Sequence, residues 1–346
     1  MRVLVTGHLG YIGTCLVPRL LSAGYAVTGS DSDLFSHCNY GTGPVPITNL
    51  QQDVRDLQRH QLEGFDAIVH LAGLSNDPLG ELNPQLTDEI NFRATERLAR
   101  LARDVGIRRF VFSSSCSTYG KAGEDFVNED HGFNPVTAYG RSKVDAETAL
   151  SRLATKDFSP TFLRNATVYG YTPRIRFDLV INNLVAWAYT TGRVLLKSQG
   201  LAWRPLVHVE DVADAFIATL RAPVESIHDQ AFNIGITQEN FRVKALAEMI
   251  VAEIPGTRLD MVKGAQADER TYRVNCDKAR SVLKDWKPRW ETRHGIRNLN
   301  QIYNQYGLQQ QDFEGSRYQR VAHLQKLMAS GAIQQDLRKP VAEKAE

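Results

Sequence analysis

The segment Arg2-Val-Leu-Val-Thr-Gly-His-Leu-Gly-Tyr-Ile-Gly13 decides the fold. Val3-Leu4-Val5 is a compact β-type run, and Gly7, Gly10 and Gly13 follow it at the mouth of an amphipathic stretch. That stretch runs from Tyr11 to about Ala23 with Ile12, Cys15, Leu16 and Leu20 at helical spacing, and it ends at Gly24. Glycine suits such a turn for two reasons: the chain reverses tightly, and a side chain would hold the backbone away from a pyrophosphate resting on the helix N-terminus. The next run, Tyr25-Ala-Val-Thr28, leads to Asp31, 18 residues after Gly13. A carboxylate at that spacing takes both hydroxyls of an adenosine ribose. It would repel the 2′-phosphate of NADP, and no arginine follows at once, so the pattern favours NAD.

Working outward, short apolar runs keep alternating with amphipathic stretches, the rhythm of βα units building a parallel sheet. Ala67–Leu71 and Arg109–Phe112 read as strands, separated by one helix with Leu86, Ile90, Ala94, Leu98 and Leu101 on a face. A further helix is predicted from Tyr139 to about Leu153, and Thr161–Arg164 and Ala231–Ile234 add strands to the same sheet. The expected fold is α/β, a doubly wound parallel sheet with a smaller, mostly helical C-terminal substrate lobe. Residues 1–170 plus about 205–235 form the nucleotide-binding domain in this reading. About 171–204 and 236–308 form the lobe, and 309–346 a C-terminal helical extension. In the extension Tyr318, Val321, Leu324, Leu327 and Met328 have helical spacing, which predicts a terminal helix packed on the body with fraying from Lys339 to Glu346.

With 346 residues, 42% hydrophobic and 23% charged, the chain is neither a miniature disulfide scaffold nor a disordered polymer. Lysine and arginine total 41 against 39 for aspartate and glutamate, a net charge of +2 that supplies no long-range field for a polyanion, so no nucleic acid is expected. Cys15, Cys38, Cys116 and Cys276 are widely scattered and read as reduced thiols of a cytoplasmic protein. The first strand starts at the initiator methionine, leaving no room for a signal peptide, and no apolar run approaches about 18 residues, so no membrane partner is expected. Without a His/Cys/Asp cluster at ligand spacing, no metal is expected either.

Asp53-Val54 follows the third predicted strand and Leu71-Ala72-Gly73 ends the fourth, tracing a cofactor along the strand carboxyl ends. The reacting end is marked by Ser113-Ser-Ser-Cys-Ser-Thr-Tyr-Gly120 and by Tyr139-Gly-Arg-Ser-Lys143, which begins 24 residues beyond Ser115. Tyrosine and lysine at i and i+4 share one helix face. A phenol is a poor base at neutral pH, but a nearby ammonium and the positive end of a bound nicotinamide would stabilise the phenolate. Tyr139 would then move a hydroxyl proton, with Ser115 orienting the same oxygen.

Through these motifs, with QDVRD, HLAG, LRNATVYG and WRPLVHVEDVADA, the chain from Met1 to about Trp290 resembles the extended short-chain dehydrogenase/reductases, specifically their NAD-dependent nucleotide-sugar epimerase/dehydratase family. The resemblance implies a Rossmann domain holding NAD, a lobe holding a nucleotide diphosphate-sugar, and a catalytic triad of Ser115, Tyr139 and Lys143. It places Gly7, Gly10, Tyr11, Ile12, Gly13, Asp31, Asp53, Val54, Leu71, Ala72, Gly73, Ser113, Tyr139, Lys143 and Val168 along the cofactor. It also implies a homodimer through helices at about 84–104 and 139–153. On the substrate side it points to Ser75, Cys116, Ser117, Thr167, Arg174, Arg176, Arg204 and Arg270, the arginines because a guanidinium grips phosphate oxygens in two places.

Departures from the family pattern bear on the reaction. The 4,6-dehydratases carry Asp-Glu after the catalytic Ser/Thr, for water elimination; this chain has Cys116-Ser117. The 3,5-epimerases place a cysteine two residues after that position, whereas Cys116 is one residue after it and reads as a small buried residue. The 4-epimerases need no additional acid or base, and Cys-Ser suits them; it equally suits a 4-dehydrogenase or 4-ketoreductase. Thr167 stands where many members have asparagine, and Ser75 where some 4-epimerases have lysine, which points away from galactose and toward a less common sugar. A non-catalytic NAD-binding module would tend to have lost Tyr139 or Lys143.

Overall fold

The computed structural model describes residues 1–262 and 270–340. Seven strands, β1 Arg2–Thr6, β2 Ala26–Ser30, β3 Thr48–Asn49, β4 Ala67–His70, β5 Arg109–Ser115, β6 Ser159–Asn165 and β7 Gln230–Ile234, form one sheet in the order 3-2-1-4-5-6-7. Every pairing in it is parallel. The order reverses at β1, so the crevice outside the carboxyl ends of β1 and β4 is where such a sheet takes ligands.

The central strands β1, β4 and the first half of β5 carry apolar residues on both sides because both faces are covered. Val3 and Val5 face α1 (Tyr11–Ser22) in a core shared with Val69, Val111, Leu163 and Phe232, while Leu4 faces the opposite core with Ile68, Phe110 and Phe112. That second face is closed by α2 (Ala94–Asp104) through Leu98 and Ala102 and by α3 (Ala138–Leu153) through Ala146 and Leu150. The predicted single helix across Leu86–Leu101 is interrupted: Asp88–Arg93 winds as a π-turn before α2. The wide turn lets Asn91 reach inward, its Oδ1 accepting from the Leu74 amide (2.7 Å) and its Nδ2 donating to the Leu74 carbonyl (3.0 Å) and to Ser142 (3.1 Å).

A separate core gathers Phe177, Trp187, Tyr303 and Phe313 around α4 (Val180–Thr191), α6 (Val243–Glu253) and α7 (Thr292–Gln305). Between Thr191 and Gln230 the chain returns to the main sheet, where α5 (Val209–Arg221) packs on the same face as α1. Three small sheets join distant segments: Thr167–Tyr169 with Trp203–His208 and Asn240–Arg242, Arg193–Leu196 with Arg258–Met261, and Lys121–Val127 with Thr271–Val274. Near the end, α8 (Arg320–Ala329) packs on the body through Leu324. Part of the expected fraying segment, 341–346, lies outside the described residues. Among the described residues no helix is long and apolar enough to cross a membrane, and no group of three or more His, Cys, Asp and Glu is placed to hold a metal.

His70 ends β4 with no exposure. Its Nδ1 lies 2.6 Å from Thr6 Oγ1 and its Nε2 2.8 Å from Thr95 Oγ1. Burial, helped by the charge on Lys143, pushes it down to about 3. The folded protein therefore keeps the ring neutral while the unfolded chain protonates it below about pH 6.5, so this contribution to stability is lost as pH falls from there toward 3. Linkage puts the loss at about 2 kcal/mol between about pH 7 and pH 5. We predict that the urea midpoint of His70→Gln, followed over that interval, falls less steeply with acid than that of the natural chain; parallel slopes would contradict the neutral buried ring.

Candidate active site

A cavity of about 610 Å³ crosses the carboxyl ends of β1, β2, β4 and β5. At its nucleotide end, Gly7 adopts φ +72°, and a Cβ there would sit 2.7 Å from the Ala72 nitrogen. A Cβ on Gly13 would be 2.4 Å from the Gly7 carbonyl. The turn therefore admits only glycine at these points, and α1 opens onto the cavity at Tyr11 with no side chain capping its first amides. Asp31 lines the cavity with one oxygen accepting from the Leu9 amide (3.0 Å) and the other from the Asp33 amide (2.8 Å). Burial raises its carboxyl, and those two amides and His8 oppose the rise. A helix N-terminus open to the cavity, a glycine cradle and a carboxylate beyond β2 fit an adenine dinucleotide.

All the residues expected to lie along the cofactor do line the cavity. Asp53 does so with its carboxylate already engaged: it accepts from the Arg55 amide (2.9 Å) and guanidinium (2.8 and 3.0 Å). Arg55 continues to Glu89 (3.0 Å) and to the carbonyl of Asp336 (2.9 Å).

At the other end α3 is fixed by Thr137, whose Oγ1 accepts from the Gly140 amide (3.0 Å) and donates to Asp77 (2.6 Å). This cap places Tyr139 and Lys143, 8% and 5% exposed, on the wall facing β5. The Lys143 ammonium donates to the Ser113 carbonyl (2.8 Å) and lies 4.6 Å from the Phe112 ring centre. Burial brings it down to about 8, with Glu147 pulling the other way. Burial pushes the Tyr139 phenol up, and its hydrogen bond with Ser115 opposes this. In the protein alone the phenol is thus made less acidic; the activation expected from the sequence also invokes the positive charge of a bound nicotinamide. Ser115 Oγ donates to Ser117 Oγ (3.0 Å) and accepts from the Ser117 amide (3.1 Å). Behind this strand end, Ser114 donates to Glu147, which Arg164 grips bidentately at 2.7–3.1 Å.

Of the substrate candidates, Ser75, Ser117, Thr167, Arg176, Arg204 and Arg270 line the cavity, and Cys116 and Arg174 do not. Cys116 is turned into a core with Tyr119, Val274 and Cys276, its thiol donating to the Arg164 carbonyl (3.2 Å). Arg174 is held behind the β2 loop by Asp33 (2.9 Å). Arg176 pairs with Asp178 (2.8 Å) and donates to Ser75 Oγ (2.8 Å). Arg270 meets Asp77 at 2.6 Å, and Arg204 lies over the Tyr272 ring and donates to the Arg270 carbonyl. The sequence reading missed Asn76, Asp77, Asn183 and Tyr272, and also Arg320, Leu324 and Leu337 from the C-terminal segment, all of which line the cavity. Asn76-Asp77 directly follow the glycine-bearing turn after β4, a signal that was available; the others come from segments whose destination no local pattern reveals.

The sheet and the cleft define an enzyme that binds a dinucleotide at the switch point of a Rossmann-type fold. Residues 3–235 match the NAD dependent epimerase/dehydratase family, and the chain belongs to it; it is an NAD-dependent enzyme. It is 29% identical over 306 residues to a UDP-glucose 4-epimerase of Mycolicibacterium smegmatis, covering 86% of this chain and 96% of that one. The structure of MoeE5 in complex with UDP-glucuronic acid and NAD is 27% identical with a TM-score of 0.76, covering 88% of this chain and 99% of that one. TunA, an NAD-dependent NDP-hexosamine 5,6-dehydratase, shares the fold at a TM-score of 0.78 and 22% identity, over 88% of this chain and 98% of that one.

We predict that Lys143, followed by lysine-selective NMR in the cofactor-free protein, titrates near 8. Titration at the ordinary value of about 10.4 would contradict its burial without a contacting carboxylate.

Proposed function

We propose that the protein is a nucleotide-sugar epimerase acting through transient oxidation at sugar C4. The observation that carries this reading is the convergence of Ser115, Tyr139 and Lys143 on one end of the cavity, with no carboxylate pair after Ser115. Residue 116 is buried away from the cavity and residue 117 is a serine hydrogen-bonded to Ser115, so neither supplies the acid and base that water elimination needs. The relative from M. smegmatis, a UDP-glucose 4-epimerase, supports the same reading.

When bound, NAD supplies the acceptor and donor of hydride at C4. In this proposal Tyr139 takes the proton of the C4 hydroxyl and returns it to the same oxygen after the 4-keto sugar has turned its other face to the cofactor, and Ser115 Oγ orients that oxygen. Lys143 holds its positive charge below the phenol. Because burial alone raises the phenol, the phenolate forms only when a further positive charge lies beside it, which makes Tyr139 a base in the loaded protein rather than the empty one. Arg204 and Arg270 grip the diphosphate of the sugar nucleotide, and Ser117 and Thr167 border the sugar. We retain the two-lobed division, the cytoplasmic setting and the homodimer as parts of this proposal.

The test is to supply the purified protein with a panel of nucleotide diphosphate-sugars, UDP-glucuronic acid and UDP-glucose among them, with and without added NAD, and to follow, for the sugar that reacts, both product and absorbance at 340 nm. We expect a C4 epimer with no net absorbance change; a stoichiometric rise or fall would identify a dehydrogenase or ketoreductase instead. Tyr139→Phe should lower turnover by about 10²–10⁴-fold while the protein still binds NAD, and Lys143→Met should weaken both. Near-normal turnover of Tyr139→Phe would refute the proton transfer.

A further inference from the structure

The cavity has a wall that lies outside the family-matched segment. From Arg317 onward the chain crosses three of the loops bordering the nucleotide end, those after β2, β4 and β3. Arg317 donates to the carbonyls of His37 and Asn39 (both 3.0 Å), beyond the β2 loop. The Arg320 guanidinium then lies 3.9 Å from the Phe35 ring centre. Leu324, Ile333 and Leu337 are buried with Leu74, Leu79, Leu86 and Ile90, from the segment after β4. At the far end Arg338 pairs with Asp56 and the Asp336 carbonyl accepts from Arg55, both in the loop after β3. Arg320, Leu324 and Leu337 face the cavity from this strap.

Arg320 is the informative residue. It is 3% exposed; its Nη2 donates to the Arg174 carbonyl (3.1 Å), and its buried Nη1 has no hydrogen-bond partner among the described residues. A buried guanidinium with an unused donor is costly unless an anion completes it. Burial and the neighbouring Arg176 and Arg174 bring it down to about 10, with Cys38 and Asp178 pulling the other way. Arg176 and Tyr11, the first residue of α1, line the cavity too, and the glycine turn leaves room there for a diphosphate. Arg320 thus lines the same cavity as the glycine turn and Tyr11, with a donor that no described residue satisfies.

We propose that the segment Arg317–Arg338 is a built-in cover of the cofactor, in which Arg320 donates to the diphosphate of the dinucleotide while Leu324 and Leu337 close over its adenosine half. Release of the cofactor then requires the strap to lift from three loops at once. An enzyme built this way keeps one dinucleotide through many turnovers, as internal recycling at C4 demands. The inference rests on the family's cofactor and is tested without any sugar, so its failure and that of the epimerase reading are distinguishable.

The experiment follows release of NADH by fluorescence on dilution of the loaded full-length protein, in the natural chain and in Arg320→Met, Arg320→Lys and Asp56→Asn. We expect Arg320→Met to release at least about 10-fold faster, the loss of one charged hydrogen bond, with an apo Tm unchanged or raised because an incompletely partnered buried charge has been removed. Arg320→Lys should recover part of the retention. Asp56→Asn, outside the cavity, should speed release by freeing the strap's far end. In the natural chain, NAD should slow amide hydrogen exchange across 317–338. Release rates for Arg320→Met within twofold of the natural chain, a drop in its apo Tm matching its loss of retention, or exchange across 317–338 unchanged by NAD would each overturn the proposal.

Discussion

A lysine ammonium buried against a backbone carbonyl is the constraint on which the reacting end depends. Among the described residues no carboxylate contacts Lys143; it is held by the Ser113 carbonyl and the Phe112 ring. Such a group costs stability, and it persists only because its surroundings are fixed from several sides. Thr137 caps α3 so that the lysine points at β5. The Asn165 side chain donates to Ser113 Oγ (3.0 Å), and the fully paired Glu147–Arg164 bridge anchors Ser114 one residue on. The strand end that carries Ser115 is thereby held from behind by Thr137, Glu147 and Arg164, which do not line the cavity, and from beside it by Asn165, which does.

The electrostatics of the cleft follow the same economy. A chain of net charge +2 has no basic surface, yet its cavity holds several guanidiniums, each steadied by a carboxylate or a carbonyl. Arg176 is fixed by Asp178 and Arg270 by Asp77, so their positions are set before any anion arrives. Placed charge of this kind recognises a phosphate by geometry without drawing polyanions from solution. Arg176, meeting Ser75 from the opposite wall, brings a cation to the place where the sequence shows only a serine after the cofactor-lining glycine.

What was legible in the sequence was whatever local spacing encodes. The glycine turn, Asp31 beyond β2, the serine-rich end of β5 and the Tyr139/Lys143 face depend on residues close together in the chain and on the order of βα units. The remainder depends on partners far apart. Asp53 reads as a free carboxylate until Arg55 folds back onto it, and Arg174 reads as a cleft residue until Asp33 draws it behind the loop. Cys116 and Ser117 are neighbours in sequence, but the short turn after β5 sends one into a core and the other into the cavity. The helical spacing of Leu324 and Leu327 announces a helix and says nothing of where it docks.

The central claim is that the sugar changes at C4 alone and that Tyr139 handles only the hydroxyl proton. Conversion of the nucleotide-sugar in D₂O, read by NMR of the product, tests this directly. Hydride that leaves and returns within the closed site never mixes with solvent, so the account predicts a C4 epimer with protium at every carbon-bound position. Deuterium on C5 or C3 would show that carbon acids are being deprotonated, and would contradict it.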